Sequence, residues 1–393
     1  MNTLQTQVGI IGGGPAGLML SHLLAKAGIE SIVIDNRTRH EIENTVRAGI
    51  LEAGSVELLT NTGVSDRVYT DGVEHEGIDL RFEGESHRID FTDLVGASVW
   101  LYPQTDVFID LADARARDGG DVRFGVSDTT VLDFESDRPG FTFTDSDGSQ
   151  VEVRCRYLVG ADGSRSLCRH LVPENARTHY RKEYPFAWFG ILAETPKNSP
   201  ELVYARSPRG FALISQRTDT VQRLYFQCDP GENADDWSDD RIWEELQARV
   251  AGSDGFRLNE GPITSKTVLP FRSFVAEPMR YGKMFLAGDA AHTVPPTGAK
   301  GLNLALADVR ILAELLDAAL NGDRPDALYT YGDRALRRVW KAQNFSYWMT
   351  TLLHTLPGSG EFDARRQLGE LTTLVDSRAG RTLLAEGYTG WQS

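Results

Sequence analysis

Four short apolar runs, residues 8–11, 31–35, 157–161 and 284–287, each lead into glycine or aspartate. Such runs read as strands buried on both faces of a parallel sheet. Between the first two, Leu18, Leu20, Leu23, Leu24 and Ala27 fall at helical spacing over residues 15–26. Pro15 suits the first turn of that helix and Gly28 its stop. A different pattern follows later: residues 211–217 and 221–228 alternate, with the turn-like Thr218-Asp219-Thr220 between them. This predicts a hairpin. Centred on Thr220, it sets Ser215 opposite Tyr225 and Arg217 opposite Arg223, all four on one face. Residues 106–117, 305–316 and 329–353 read as helices. The last carries an aromatic stripe of Trp340, Phe345, Trp348 and Met349, suited to a core or to contact with a second copy.

Composition narrows the class. At 393 residues the chain is long enough for two or three structural units. A formal charge of −15 argues against nucleic acid or an anionic membrane as partner. No apolar run approaches the roughly 20 residues needed to span a bilayer. The first residues lack a basic segment of the secretory type. Three cysteines, Cys155, Cys168 and Cys228, have no metal-ligand spacing and fit reduced thiols in a cytoplasmic protein. No metal site is expected. An anionic ligand would need a local arginine cluster.

Chemistry enters at the strand ends. Gly12, Gly14, Ala16 and Gly17 lie in Gly-Gly-Gly-Pro-Ala-Gly, between a predicted strand and helix, and Asp35 closes the next strand. Gly12 permits the turn, Gly14 lets backbone approach a pyrophosphate, and Gly17 lets helix and strand pack closely. The helix N-terminus then favours phosphate, and Asp35 suits ribose hydroxyls. Asp162-Gly163 ends the third run and Gly288-Asp289 the fourth. Alone, each motif is weak; together, in this order, they indicate bound FAD. A second dinucleotide fingerprint and a Cys-x-x-Cys pair are both absent, which excludes the two-domain disulfide reductases. On the predicted hairpin, Ser215, Arg217 and Tyr225 supply the fork-shaped and neutral donors that a buried aryl carboxylate requires. An exposed polar face is the competing reading of those residues.

These residues resemble the class A flavoprotein aromatic hydroxylases. The resemblance runs over essentially the whole chain. Its most specific stretches are residues 46–52, 208–217, 285–292 and 294–303. It implies an α/β fold: a doubly wound, glutathione-reductase-like FAD-binding domain, with an inserted, mainly β substrate domain and a C-terminal helical segment. The implied bounds are 1–75, 101–179 and 271–345 for the first, 76–100 and 180–270 for the second, and 346–393 for the third. It implies hydroxylation of 4-hydroxybenzoate at C3, with O2 and NADH or NADPH, and a homodimer; the alternative is the same chemistry on another para-substituted benzoate, such as 4-aminobenzoate or a dihydroxybenzoate. Ser215, Arg217 and Tyr225 would hold the carboxylate. Tyr204 and the Pro296 carbonyl would meet the phenol, with Tyr388 and then His75 carrying its proton to water. Arg47, Gln104, Arg223, Gly298, Leu302 and Asn303 would join the strand-end motifs around FAD. Arg37, Arg47, Arg165, Arg169 and Arg272 would face NAD(P)H. A halogenase is disfavoured, because the Trp-x-Trp-x-Ile-Pro signature is missing. A flavin protein without catalysis is disfavoured by the intact relay residues.

One segment departs from that resemblance. Glu41 stands where family members carry tyrosine, and Thr45 where they carry a basic residue. Glu41 and Glu43 would repel a 2′-phosphate, which Arg37 and Arg39 would have to offset. NADH is therefore expected to be accepted.

Overall fold

The protein is described by a computed structural model covering residues 2–45 and 49–391. Arg47 lies outside these described residues. A six-stranded sheet runs in the order Arg280–Tyr281, Met284–Leu286, Tyr157–Gly160, Val8–Ile11, Ser31–Asp35, Asp121–Phe124. All its pairings are parallel except the first. Leu158, Val159, Ile10, Val33 and Phe285 are fully buried, as strands covered on both faces must be. The Pro15–Lys26 and Gly301–Leu320 helices share this core through Leu18, Leu24, Val309 and Leu312.

The second large sheet has eight strands and draws on residues 77–90, 178–277 and 292–293. Its alternation buries both faces. Phe189, Ile191, Ile214, Leu224 and Phe226 point to the Asp239–Val250 helix, against Trp243 and Leu246. Leu80, Trp188, Tyr204, Phe211 and Tyr225 point the other way. There they meet the helices Tyr331–Leu353, Glu361–Asp376 and Arg378–Thr389. The expected aromatic stripe divides accordingly. Phe345 and Met349 are core, whereas Trp340 stays 42% exposed. Two smaller sheets complete the fold, one of them built partly on the alternating strands Gly140–Thr144 and Gln150–Arg154. One pairs Asn2–Gln5 with residues 127–154; the other joins Ile50–Glu52, Val99–Leu101 and Val73–His75.

His354 sits inside the aromatic face, stacked on Phe186 at 4.6 Å. Its Nε2 accepts from Trp188 Nε1 at 2.7 Å, and its Nδ1 lies 2.8 Å from the Thr350 carbonyl. That pattern requires the neutral ring. Burial pushes the imidazole down to about 3. The unfolded chain therefore takes up a proton below 6.5 that the folded chain refuses. Stability is expected to fall as pH drops from 6.5 toward 3, by about 1.4 kcal/mol per unit. Urea unfolding at pH 5 and pH 7 should show the loss, reduced in His354→Gln. Equal losses in both proteins would refute this origin.

All three cysteines are free, with Cys155 and Cys168 buried. Burial pushes the Cys155 and Cys228 thiols up to about 12 and Cys168 well above its usual range.

Candidate active site

The three glycine-rich loops leave neighbouring strands of the six-stranded sheet at their carboxyl ends. Gly12 has φ +113, and a Cβ there would meet the Ala161 carbonyl at 2.1 Å. Gly17 admits no side chain either, because its Cβ would lie 1.8 Å from the Gly12 carbonyl oxygen. A Cβ on Gly14 or Gly163 would touch nothing within 4 Å, so backbone is bared there. The Pro15–Lys26 helix has no side-chain cap, leaving first-turn N–H groups for phosphate. Asp35 accepts from Gly13 N at 2.9 Å, and Arg37 Nε donates to it at 3.1 Å.

Polar ties hold the other two loops. Asp162 accepts from Ser166 Oγ and from Cys168 N. Its side chain thus shapes its own loop. Gly288 N donates to Asp308 Oδ2 at 2.9 Å, and the same oxygen is 2.6 Å from His292 Nε2. Burial works against charge on His292, but the Asp308 carboxylate prevails and raises its pKa. The Arg169 guanidinium donates to the carbonyls of Ser164 and Ala290, and stacks over Phe274 at 4.6 Å. It straps the second loop to the third, a part with no signature in the sequence.

Past Pro296, Ala299 takes φ +53. A Cβ on Gly298 would come within 2.9 Å of Ser346 Oγ. Asn303 fixes the turn, donating to the Ile50 and Ala299 carbonyls and accepting from Glu52 N. The Gly301–Leu320 helix starts with neither a side-chain cap nor an acidic first turn. Its N–H groups, those of Leu302 and Asn303 included, suit an anionic edge. Gln104, half-buried, opens the Gln104–Arg117 helix. The bared backbone, the free helix starts and the acid at the ribose position fit FAD. Among the described residues, no group of three or more His, Cys, Asp or Glu side chains is placed to hold a metal ion.

The hairpin pairs two residues out of the expected register. Ser215 faces Arg223 and Leu213 faces Tyr225, so the turn centres on Asp219. Thr218 Oγ1 accepts from Val221 N at 3.1 Å, closing the loop early. A shift of two preserves the face of every side chain. Ser215, Arg217, Arg223 and Tyr225 therefore still share one, and Tyr204 joins it through its pairing with Leu213. Gly190, opposite Tyr225, makes room: a Cβ would lie 2.6 Å from Tyr225 Cε1. Arg217 Nη1 is buried without a hydrogen-bond partner. Burial, then the neighbouring Arg223, lowers the Arg217 pKa. Arg223 hydrogen-bonds the Tyr225 hydroxyl. Two guanidiniums side by side, one with an unmet donor, ask for an anion.

At the other end of this face, the Tyr204 and Tyr388 hydroxyls are 2.7 Å apart and fully buried. Burial raises both pKa values, so both are neutral proton carriers. The Thr297 carbonyl oxygen lies within hydrogen-bond reach of Tyr204 Oη, at 3.4 Å. The Pro296 carbonyl, next along the chain, accepts from Ala299 N at 2.9 Å. Phe91 stacks on Tyr388, and Lys300 Nζ donates to the Tyr388 carbonyl at 2.7 Å and to Glu52 at 2.8 Å. His75, expected as an outlet to water, is only 1% exposed, with Nδ1 2.7 Å from Glu201 Oε2. Thr297, Lys300 and Glu201 were not singled out by sequence; Thr297 and Lys300 lay inside a recognised stretch, and Glu201 lay outside all of them.

The nicotinamide set is scattered in role. Arg165 and Arg272 are exposed, and Arg169 is buried as the strap. Arg37 is paired with Asp35 at 3.1 Å, and Arg39 with Glu43 and Asp113, each at 2.6 Å. Glu41 caps its own short helix through Thr38.

A family model described as an FAD binding domain matches residues 5–346. The chain belongs to that family, and by its fold and site it is a flavoprotein aromatic hydroxylase. It is 43% identical over 391 residues to p-hydroxybenzoate hydroxylase from Acinetobacter baylyi, covering 99% of this chain and 96% of that one. The dialkyldecalin synthase of Streptomyces rugosporus is 30% identical over 97% of this chain and 80% of its own length. The crystal structure of p-nitrophenol 4-monooxygenase from Pseudomonas putida superposes with a TM-score of 0.83. It covers both chains fully at 18% identity and so speaks to fold alone.

Proposed function

We propose that the enzyme converts 4-hydroxybenzoate, NAD(P)H and O2 to 3,4-dihydroxybenzoate. The observation that carries this is one sheet face with a carboxylate site at one end and a buried tyrosine pair at the other. Bound FAD, once reduced, supplies the activated oxygen. The chain's part is to hold the ring and ionise it. Arg217, Ser215 and Tyr225 receive the carboxylate, the first as a charged donor and the others as neutral ones. The phenol meets Tyr204 Oη. As its proton passes to Tyr204, that of Tyr204 passes to Tyr388 and onward to His75. The ring carbon ortho to the phenolate then carries the electron density an electrophilic oxygen seeks. A tyrosine alone cannot hold the proton at neutral pH; an imidazole can. Residues 1–75, 101–179 and 271–345 serve the flavin, and 76–100 with 180–270 serve the substrate. The test is NADH oxidation by the FAD-loaded protein with and without 4-hydroxybenzoate, with the product identified by mass and chromatography. Stimulation yielding only peroxide would overturn the substrate assignment.

NADH is the coenzyme the surface favours. Arg37 and Arg39, the cations available to a 2′-phosphate, are already neutralised by Asp35, Glu43 and Asp113. Hydrogen bonds from Thr38 hold the Glu41 carboxyl low and therefore ionised. Like-charge juxtaposition should give NADH about a tenfold higher kcat/KM than NADPH. A preference for NADPH in steady-state rates would refute this.

We assign a second copy of the chain to the face around Trp340. Tyr180 and Trp340 meet edge to face at 5.2 Å, and with Tyr347 they remain 42–45% exposed. A monomeric mass by light scattering would overturn this. No helix among the described residues is long and apolar enough to cross a membrane, and a cytoplasmic location suits the reduced thiols.

A further inference from the structure

We infer that Glu201 is the positioning residue of the proton relay: it fixes which nitrogen of His75 receives the substrate proton and supplies the counter-charge when it arrives. The inference rests on the hydroxylation proposed above. His75 Nδ1 and Glu201 Oε2 are 2.7 Å apart, with the histidine 1% and the carboxylate side chain 8% exposed. Arg88 donates to the other carboxylate oxygen at 2.9 Å. Burial works to raise the Glu201 pKa, but hydrogen bonds from His75 and Arg88 outweigh it and hold the group ionised. An ionised carboxylate only accepts. His75 therefore carries its hydrogen on Nδ1, and Nε2 presents a lone pair. Nε2 is buried with no hydrogen-bond partner among the described residues.

The phenol O–H breaks as its proton joins Tyr204 Oη, and the Tyr204 proton joins Tyr388 Oη across 2.7 Å. The Tyr388 proton reaches His75 Nε2 through water. The products are a phenolate and an imidazolium, which later releases its proton to bulk water; nothing is oxidised. An imidazolium this buried is costly without a partner, and Glu201 is the partner in place. Arg88 keeps Glu201 from taking the proton itself. The other charged and titratable groups around Glu201 are Asp79 and Asp90, both grouped on Arg88, and Tyr388.

The test compares wild type, Glu201→Gln, His75→Gln and the double variant. The readout is the pH at which bound 4-hydroxybenzoate ionises, followed by ligand absorbance, together with the pH profile of product formation. Glu201→Gln should keep its FAD and bind 4-hydroxybenzoate within about threefold of wild type, since neither residue touches the carboxylate. Its phenol should ionise about one pH unit higher, a tenfold change in the equilibrium. In the His75→Gln background, Glu201→Gln should add nothing, the non-additivity of groups acting in series. Glu201→Asp, which keeps the charge, should restore part of the shift and serves if the glutamine variant folds poorly. An unshifted ionisation in Glu201→Gln beside a shifted one in His75→Gln would overturn the role of Glu201 alone. An unshifted ionisation in both would overturn the relay itself.

Discussion

Tyr204→Phe is expected to consume NADH in the presence of 4-hydroxybenzoate while forming about 10²-fold less 3,4-dihydroxybenzoate, the range a positioned acid–base group contributes. The ring would stay, packed 6.1 Å from both Phe211 and Tyr388. The one hydroxyl that links substrate to Tyr388 would go. The bound phenol would then keep its proton, its ring would remain a poor nucleophile, and the consumed oxygen would appear as hydrogen peroxide. Tyr388 would be left with an unmet hydroxyl, costing about 1–3 kcal/mol of stability. Binding through the carboxylate should change little. The measurement is the ratio of product to NADH consumed, and a ratio equal to wild type would remove Tyr204 from the relay.

The largest loss of affinity is expected from Arg217→Ala. Truncating one partner of a buried charged hydrogen bond costs about 2–5 kcal/mol, which places the fall in 4-hydroxybenzoate binding at roughly 30- to 4,000-fold. Arg223 remains, but its guanidinium is committed to Tyr225. Arg217→Lys should fall between, keeping the charge and losing the fork. KM should move far more than kcat at saturation, because the carboxylate contact is made equally before and during oxygen transfer. A KM within threefold of wild type would mean that the carboxylate binds elsewhere.

The strands 8–11, 31–35 and 157–160 could be read from sequence because each is a local apolar run with a glycine or aspartate at its end. The hairpin face was legible for a subtler reason. A register error of two leaves every side chain on its own side, so the set Ser215, Arg217, Arg223 and Tyr225 survived a wrong pairing. What escaped were contacts between distant segments. Glu201 approaches His75 across 126 positions, and Lys300 reaches Glu52 across 248. Neither pair leaves a periodic trace. Arg169 escaped for another reason: an arginine beside a flavin motif suggests phosphate, whereas here it ties two loops through their carbonyls. The aromatic stripe stayed open between core and contact because helical spacing places residues on a face without saying what covers it. Phe345 and Met349 proved to be core.

An enzyme of this kind sheds peroxide whenever a turnover fails, and so bathes in its own waste. The species peroxide attacks is the thiolate. Burial leaves Cys155 and Cys168 almost entirely as inert thiols at neutral pH. Met19, Met279, Met284 and Met349, at most 1% exposed, are shielded too. The sulfur that packs these cores is thereby kept off the oxidation ladder, and imperfect coupling wastes coenzyme without scarring the catalyst.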